Sequence, residues 1–178
     1  METFLANFAG TYRRETKDGR PHLVVPLSLI VPGVLNGSKG PLMYGRDVIK
    51  ANFKAWNQIP LVAYHPTRNN VPVSANDPDI LNESGLGFVL KPKIGKTTGA
   101  LVAEGWFDEE KTLNYDQKLP LESRMVPRIL GGKPIELSTG LFTENETAPK
   151  DSHYLGKPYT HVVKNMRPDH LAILPDVK

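Results

Sequence analysis

Cysteine is absent from the 178 residues. That excludes disulfides, thiolate nucleophiles and cysteine-ligated zinc together. Long apolar runs are absent too. The most apolar stretch, HLVVPLSLIVPGVL (22–35), is interrupted by Pro26 and Pro32. It falls short of the ~18–20 residues of a membrane span, so no membrane partner is expected. The first residues, METFLANFAGTYRRETKDG, lack the basic start and apolar run of a secretory signal. Charge of one sign is scarce: the formal net charge is only +3, and lysines and arginines are scattered without interleaved aromatics. A specific nucleic-acid ligand is therefore not expected. VLNGSKGP (34–41) lacks the spacing of a phosphate-binding loop and reads as a turn. No internal repeat or low-complexity tract occurs.

What is present is punctuation. Sixteen prolines and fifteen glycines divide the chain into many short apolar runs, a pattern of β-rich architecture with a few helices. The polar residues 1–20 read as a flexible N-terminal arm, and 20–178 as one domain. Residues 22–35 read as one or two strands broken at the prolines. GRDVIKANFKAW (45–56) carries Val48, Ile49, Phe53 and Trp56 at helical spacing. IPLVAYH (59–65) is a strand and 65–84 a long polar loop. GLGFVLKPKIG (85–95) and GALVAEGWFD (99–108) read as two strands joined by a Gly/Thr turn. Helix-forming stretches fill 108–132, broken at Pro120 and Pro127. ELSTGLF, PYTHVVKNMR (158–167) and HLAILP (170–175) complete the strands. The expected fold is mainly β (α+β). It has about seven mostly antiparallel strands, closed into a barrel to remove sheet edges, with a few surrounding helices.

Candidate chemistry begins at PIELSTGLF (134–142). Ile135, Leu137, Thr139 and Leu141 share one parity, which leaves Ser138 on the other beside Gly140. Ser138 is either a solvated outward residue or a nucleophile on a rigid element. A nucleophilic serine needs a base in hydrogen-bond reach and a third group to orient that base. Of the five histidines, His65 ends a strand and His170 opens one. His22, His153 and His161 lie in polar or turn contexts. Asp77, Asp79, Asp108 and Asp169 read as turn and cap residues. One of them with His65 and His170 would make a two-histidine, one-carboxylate metal site, although no metal-loop spacing is present. Arg167 either neutralises Asp169 or stands near a developing oxyanion.

In order, YHPTRNN…ESGLGFV, ELSTGLF and DHLAIL resemble the herpesvirus assemblin and tailed-phage prohead protease group. They match its histidine at a strand end, its serine in a small-residue strand, and its last active-site strand. The order His, Ser, His is that of the herpesvirus enzymes. The run WNQIPLVAYHPT…PVSANDP…LVAEGWFD…PIELSTGLFT…KPYTHVVKNMRPDHLAILPD resembles a phage subfamily usually taken for prohead proteases, over roughly residues 20–176.

The resemblance implies an assemblin-like barrel and a serine endopeptidase without cofactor or metal. It would cut pro-segments of scaffolding protein and major capsid protein, and itself. The place implied is the immature phage head in the bacterial cytoplasm, and a homodimer is compatible with it. Ser138 would be the nucleophile, His65 the base and His170 the orienting third member. Asp169 is the alternative third member. Adjacent strand residues face opposite ways, so only one of the two is expected to serve. The herpesvirus enzymes carry arginines after the third histidine and this chain has none there. Thr139, Gly140 and Arg167 are the remaining candidates for oxyanion or substrate contacts. Two rival readings stand beside this one: a non-catalytic capsid-associated or scaffold-binding protein, and a metal-dependent hydrolase.

Overall fold

The apolar runs become strands in the computed structural model, which describes residues 5–7, 11–37 and 40–176. In chain order the elements begin with strands β1 (Leu5–Asn7), β2 (Arg13–Lys17), β3 (Arg20–Ile30), β4 (Gly33–Gly37) and β5 (Gly40–Tyr44). Helix α1 (Arg46–Asn52) continues into a 3-10 turn, Phe53–Trp56. Strands β6 (Pro60–Ala63), β7 (Thr67–Arg68) and β8 (Val71–Pro72) precede helix α2 (Pro78–Ser84). Then come β9 (Gly85–Ile94), β10 (Leu101–Asp108), α3 (Glu109–Asp116) and α4 (Met125–Leu130). The chain continues with β11 (Glu136–Thr147), β12 (His153–Tyr154), β13 (Lys157–Pro158) and β14 (His161–Leu174). Residues 38–39, within the stretch read as a turn, lie outside the described residues.

Ten strands form one mixed sheet in the order β1-β11-β14-β6-β9-β10-β3-β2, with β5 pairing β14 and β4 pairing β5. The expected seven-stranded closed barrel is not found: among the described residues the sheet is open, with β1 and β2 at its ends. The reason is local. Asp18 and Gly19 adopt positive φ (51° and 74°) and turn β2 back onto β3 as a hairpin. β2 therefore takes the Arg20–Val24 part of the β3 edge that barrel closure would need. Two stretches of the segment read as an arm are paired here, β2 with β3 and β1 with β11.

Proline punctuation was also less decisive than expected. β3 runs through Pro26 without a break, and β14 runs through Pro168. Pro127 sits in the first turn of α4, where its missing N–H costs no intrahelical bond. The polar stretch 65–84 holds a small β7–β8 ribbon and α2. Helix α2 starts at Pro78 because the Asp77 side chain caps it through the Asp79 N–H.

The main core lies on one face of the sheet. Alternate residues of β3 (Leu23, Val25, Leu27, Leu29) pack there with Leu61, Val89, Phe107, Leu171, Ile173 and fully buried Trp56. The central strands β6 and β14 are buried on both faces. Their other parity, Val62 and Ala172, packs under α2 with Ala75 and Ile80. Two-sided burial explains why PLVA and HLAIL read as unbroken apolar runs. Ser138 pairs with Ala172 in the ladder, so its side chain belongs to this second, smaller face.

Gly87 shows how tightly the sheet is closed beneath β6. It pairs with Leu61 and Phe107 at φ 151°, and an added Cβ would lie 1.9 Å from the Trp106 carbonyl oxygen. Gly87→Ala is expected to destabilise the protein by roughly 2–4 kcal/mol, read as a lower denaturant midpoint with unchanged slope.

Candidate active site

Three neighbouring strands supply the site. Ser138 comes from β11, His170 from β14, and His65 follows the end of β6. The position of His65 depends on Tyr64. β6 runs parallel to β14 up to the Ala63–Ile173 pair, and the Tyr64 N–H still bonds Ile173 O at 2.9 Å. Tyr64 then takes φ 61°, a left-handed conformation that costs a bulky residue energy and turns the chain off the strand axis. Its hydroxyl donates to the Asp176 carboxylate, which anchors the turn. Pro66 limits His65 to an extended backbone.

The side chains form a continuous hydrogen-bond chain. Ser138 Oγ lies 2.8 Å from His65 Nε2, and His65 Nδ1 lies 2.8 Å from His170 Nε2. His170 Nδ1 lies 2.8 Å from Asp169 Oδ2. Asp169 also accepts from Ser74 Oγ at 2.5 Å and from the Ala75 N–H at 2.9 Å. Ser138 is 3% exposed, Asp169 6% and His170 0%, while His65 is half-buried.

Only one of Asp169 and His170 was expected to face the site. Both do so because β14 carries a bulge. Gly140 pairs with His170 and Leu141 with Pro168, so Asp169 is the unpaired extra residue. A bulge suspends strict alternation and re-aims a side chain. The two residues therefore join in series rather than compete.

Burial alone would raise the Asp169 carboxyl. Hydrogen bonds from His170, Ser74 and the Ala75 N–H outweigh it and hold the group at about 2. An ionised carboxylate only accepts, so the donors are ordered along the chain. His170 Nδ1–H donates to Asp169, and His65 Nδ1–H donates to the bare His170 Nε2. The Ser138 hydroxyl donates to the bare His65 Nε2. Burial also pushes His65 down to about 4, and a charge on His170 would act the same way. His65 is thus a neutral imidazole near pH 7 with its free lone pair on the serine. The arrangement can take a proton from Ser138 and return it.

Gly140 also has a packing part. A Cβ there would meet the His170 ring at 2.2–2.6 Å, so its bare backbone is the seat on which the imidazole lies. Thr139 is fully buried on the opposite parity, and its hydroxyl has no hydrogen-bond partner among the described residues. Arg167 is exposed and stacks over Phe142 at 4.9 Å, two ladder pairs beyond Gly140–His170.

All four nitrogens of His65 and His170 are engaged in the chain. Asp77 and Asp79 pair with Arg68, and Asp108 pairs with Arg20 and caps α3. Nδ1 of His22, His153 and His161 hydrogen-bonds Arg20 O, Asp151 O and Thr160 Oγ1 respectively. Sequence reasoning missed Ser74, Ala75 and Tyr64. Nothing in a polar loop marks its partner in a strand nearly a hundred residues away.

No family model and no curated protein sequence matches the chain. Its architecture resembles that of a solved phage capsid assembly protease. That structure, "Structure of the bacteriophage T4 capsid assembly protease, gp21", matches with a TM-score of 0.61 over 97% of this chain and 94% of that one. The two are 10% identical, so the likeness is one of fold.

Two outcomes are expected. Asp169 contributes stability that is full above pH ~4 and lost as pH falls toward about 2, worth about 2 kcal/mol. The neutral burial of His65 weakens stability in the same direction between 6.5 and about 4. Comparing acid unfolding of the protein and Asp169→Asn isolates the carboxylate, since the variant lacks the lower step. Gly140→Ala is expected to push the His170 ring away and break its bond to His65. Imidazole proton and 15N resonances would report this as loss of the hydrogen-bonded Nδ1–H signal of His65.

Proposed function

We propose that this chain is a serine endopeptidase of phage head maturation. It would act on pro-segments of scaffolding and major capsid proteins inside the prohead, in the host cytoplasm. The single observation that carries the reading is the Ser138–His65–His170 chain, with 2.8 Å at each step. The fold likeness to a capsid assembly protease supports the biological setting. The order of the three residues in sequence supports placement beside the herpesvirus assemblins.

Ser138 attacks the scissile carbonyl as His65 Nε2 takes its proton. His170 holds His65 in the tautomer that leaves Nε2 free. Asp169 stands behind His170, so the positive charge that develops on the pair meets a full negative charge at one remove. His65 then protonates the leaving amine and activates the water that releases the acyl group. Neighbouring N–H groups of a strand point to opposite edges, so one backbone N–H of the Thr139–Gly140 pair, next to the nucleophile, is the proposed oxyanion donor, worth ~10²–10³ in rate. Arg167 on its Phe142 ledge is the proposed substrate contact.

A second reading follows from one observation. Ser138 is only 3% exposed, so little of the proposed nucleophile meets solvent in this conformation. A non-catalytic, scaffold-binding protein of this fold would have no need to open. Co-expression with the scaffolding and capsid proteins decides between the two. Processing is expected with the intact chain and should fall by at least about 10³-fold in Ser138→Ala. It should persist in chelator and stop with a serine-directed phosphonate. Equal processing in Ser138→Ala would remove the peptidase reading, and absence of processing in both would favour the binding protein.

A further inference from the structure

Ser74 has no part in the reaction above, yet it makes the shortest hydrogen bond to the group at the far end of the chain. Its hydroxyl lies 2.5 Å from Asp169 Oδ1, and its oxygen in turn accepts the Asn76 N–H at 3.2 Å. That second bond commits the hydroxyl proton to Asp169. Asn76 Nδ2 reaches the same Oδ1 at 3.4 Å, while Oδ2 takes the Ala75 N–H and His170 Nδ1. A carboxylate offers about four acceptor positions, and here each is filled.

Ser74 and His65 stand at the two mouths of one loop. The Val73 N–H donates to Pro66 O at 3.1 Å and closes its neck, with the β7–β8 ribbon beyond. The general base and the clamp on the last acceptor therefore belong to a single closed segment. A shift of that segment moves His65 and Ser74 together.

We propose that Ser74 is a positioning residue of the reaction: its hydroxyl fixes the Asp169 carboxylate in one rotamer and, through it, the proton arrangement of the His170–His65 pair. The inference rests on the peptidase reading above. Its sign is definite. A carboxylate that loses one donor keeps more of its charge for the remaining partners, so it draws a further proton onto the histidine pair more strongly. A proton on the pair reverses the His65 tautomer and removes the base. Ser74→Ala therefore moves the acid limb of acylation to higher pH. Asp169→Asn removes the charge and moves the limb to lower pH. Neighbouring charges do not blur this contrast. Arg68, Asp77 and Asp79 on the loop and α2 pair with one another. Tyr64 beside β6 is held by Asp176, and Glu136 on β11 lies opposite Leu174, beyond Ser138.

The test is the rate at which a fluorophosphonate labels Ser138 of the whole chain between pH 4 and 9. Imidazole 15N spectra of the same samples accompany it. Ser74→Ala is expected to label on the order of tenfold more slowly near neutrality, with its acid limb displaced upward. Ser74→Thr keeps a hydroxyl and restores both, which separates positioning from a folding defect. A wild-type rate and limb in Ser74→Ala, or limbs of Ser74→Ala and Asp169→Asn that move the same way, overturns the proposal. If the wild-type chain itself does not label, the peptidase reading fails instead. The His170 Nδ1 resonance then decides alone: unchanged in Ser74→Ala, it removes the role of Ser74; displaced, it keeps it.

Discussion

One extra residue in a ladder organises this molecule. Where β11 meets β14, Asp169 has no partner across the strand pair, and Pro168 and His170 close the ladder on either side of it. Strict alternation would have sent Asp169 and His170 to opposite faces. The bulge turns both toward the same small face, and the fold around it follows. Gly140 lacks a side chain where the His170 ring must lie. The loop after β6 folds back over the sheet and brings donors to the carboxylate. Helix α2 covers what remains with Ile80.

A negative charge removed from water needs donors, and the structure provides them from several directions. Each donor that satisfies Asp169 also narrows the proton arrangement of the groups beyond it. The carboxylate accepts from His170, which leaves His170 a bare nitrogen for His65, which leaves His65 a bare nitrogen for Ser138. Electrostatics at one end thus becomes directionality at the other. A histidine in third place contributes no full charge by itself. With an aspartate behind it, the charge is present, displaced by one imidazole. The depressed His65 basicity completes the arrangement, because its imidazole remains unprotonated near pH 7.

Much of the fold was legible from local pattern. The two-sided burial of β6 and β14 appears in the sequence as continuous apolar runs, and the amphipathic spacing of 45–56 produced α1 and its 3-10 extension. Other features were hidden for physical reasons. Pro168 reads as a strand break, yet at a bulge a missing N–H is tolerated, so β14 continues through it. Residues 13–17 are too polar to announce a strand, and they pair only because the Asp18-Gly19 turn brings them against β3. The barrel expectation failed at the same place, since the hairpin partner took the edge that closure required. Helix α2 was submerged in turn-forming residues whose cap and proline were visible but whose short length left no periodicity to read.

The sequence by itself determined the residue types of the site and their order. A serine among small residues, a histidine at a strand end and an Asp-His pair before an apolar strand are local facts, set by strand propensity and by the space a ring requires. Tertiary structure alone decided how they connect. The register of β11 on β14 chose Gly140 as the seat for His170. The bulge let Asp169 and His170 act in series, and the left-handed turn at Tyr64 laid His65 between Ser138 and His170. The 2.8 Å hydrogen bonds of His65 to Ser138 and His170 depend on positions fixed by strands far apart in sequence, and no local pattern carries that information.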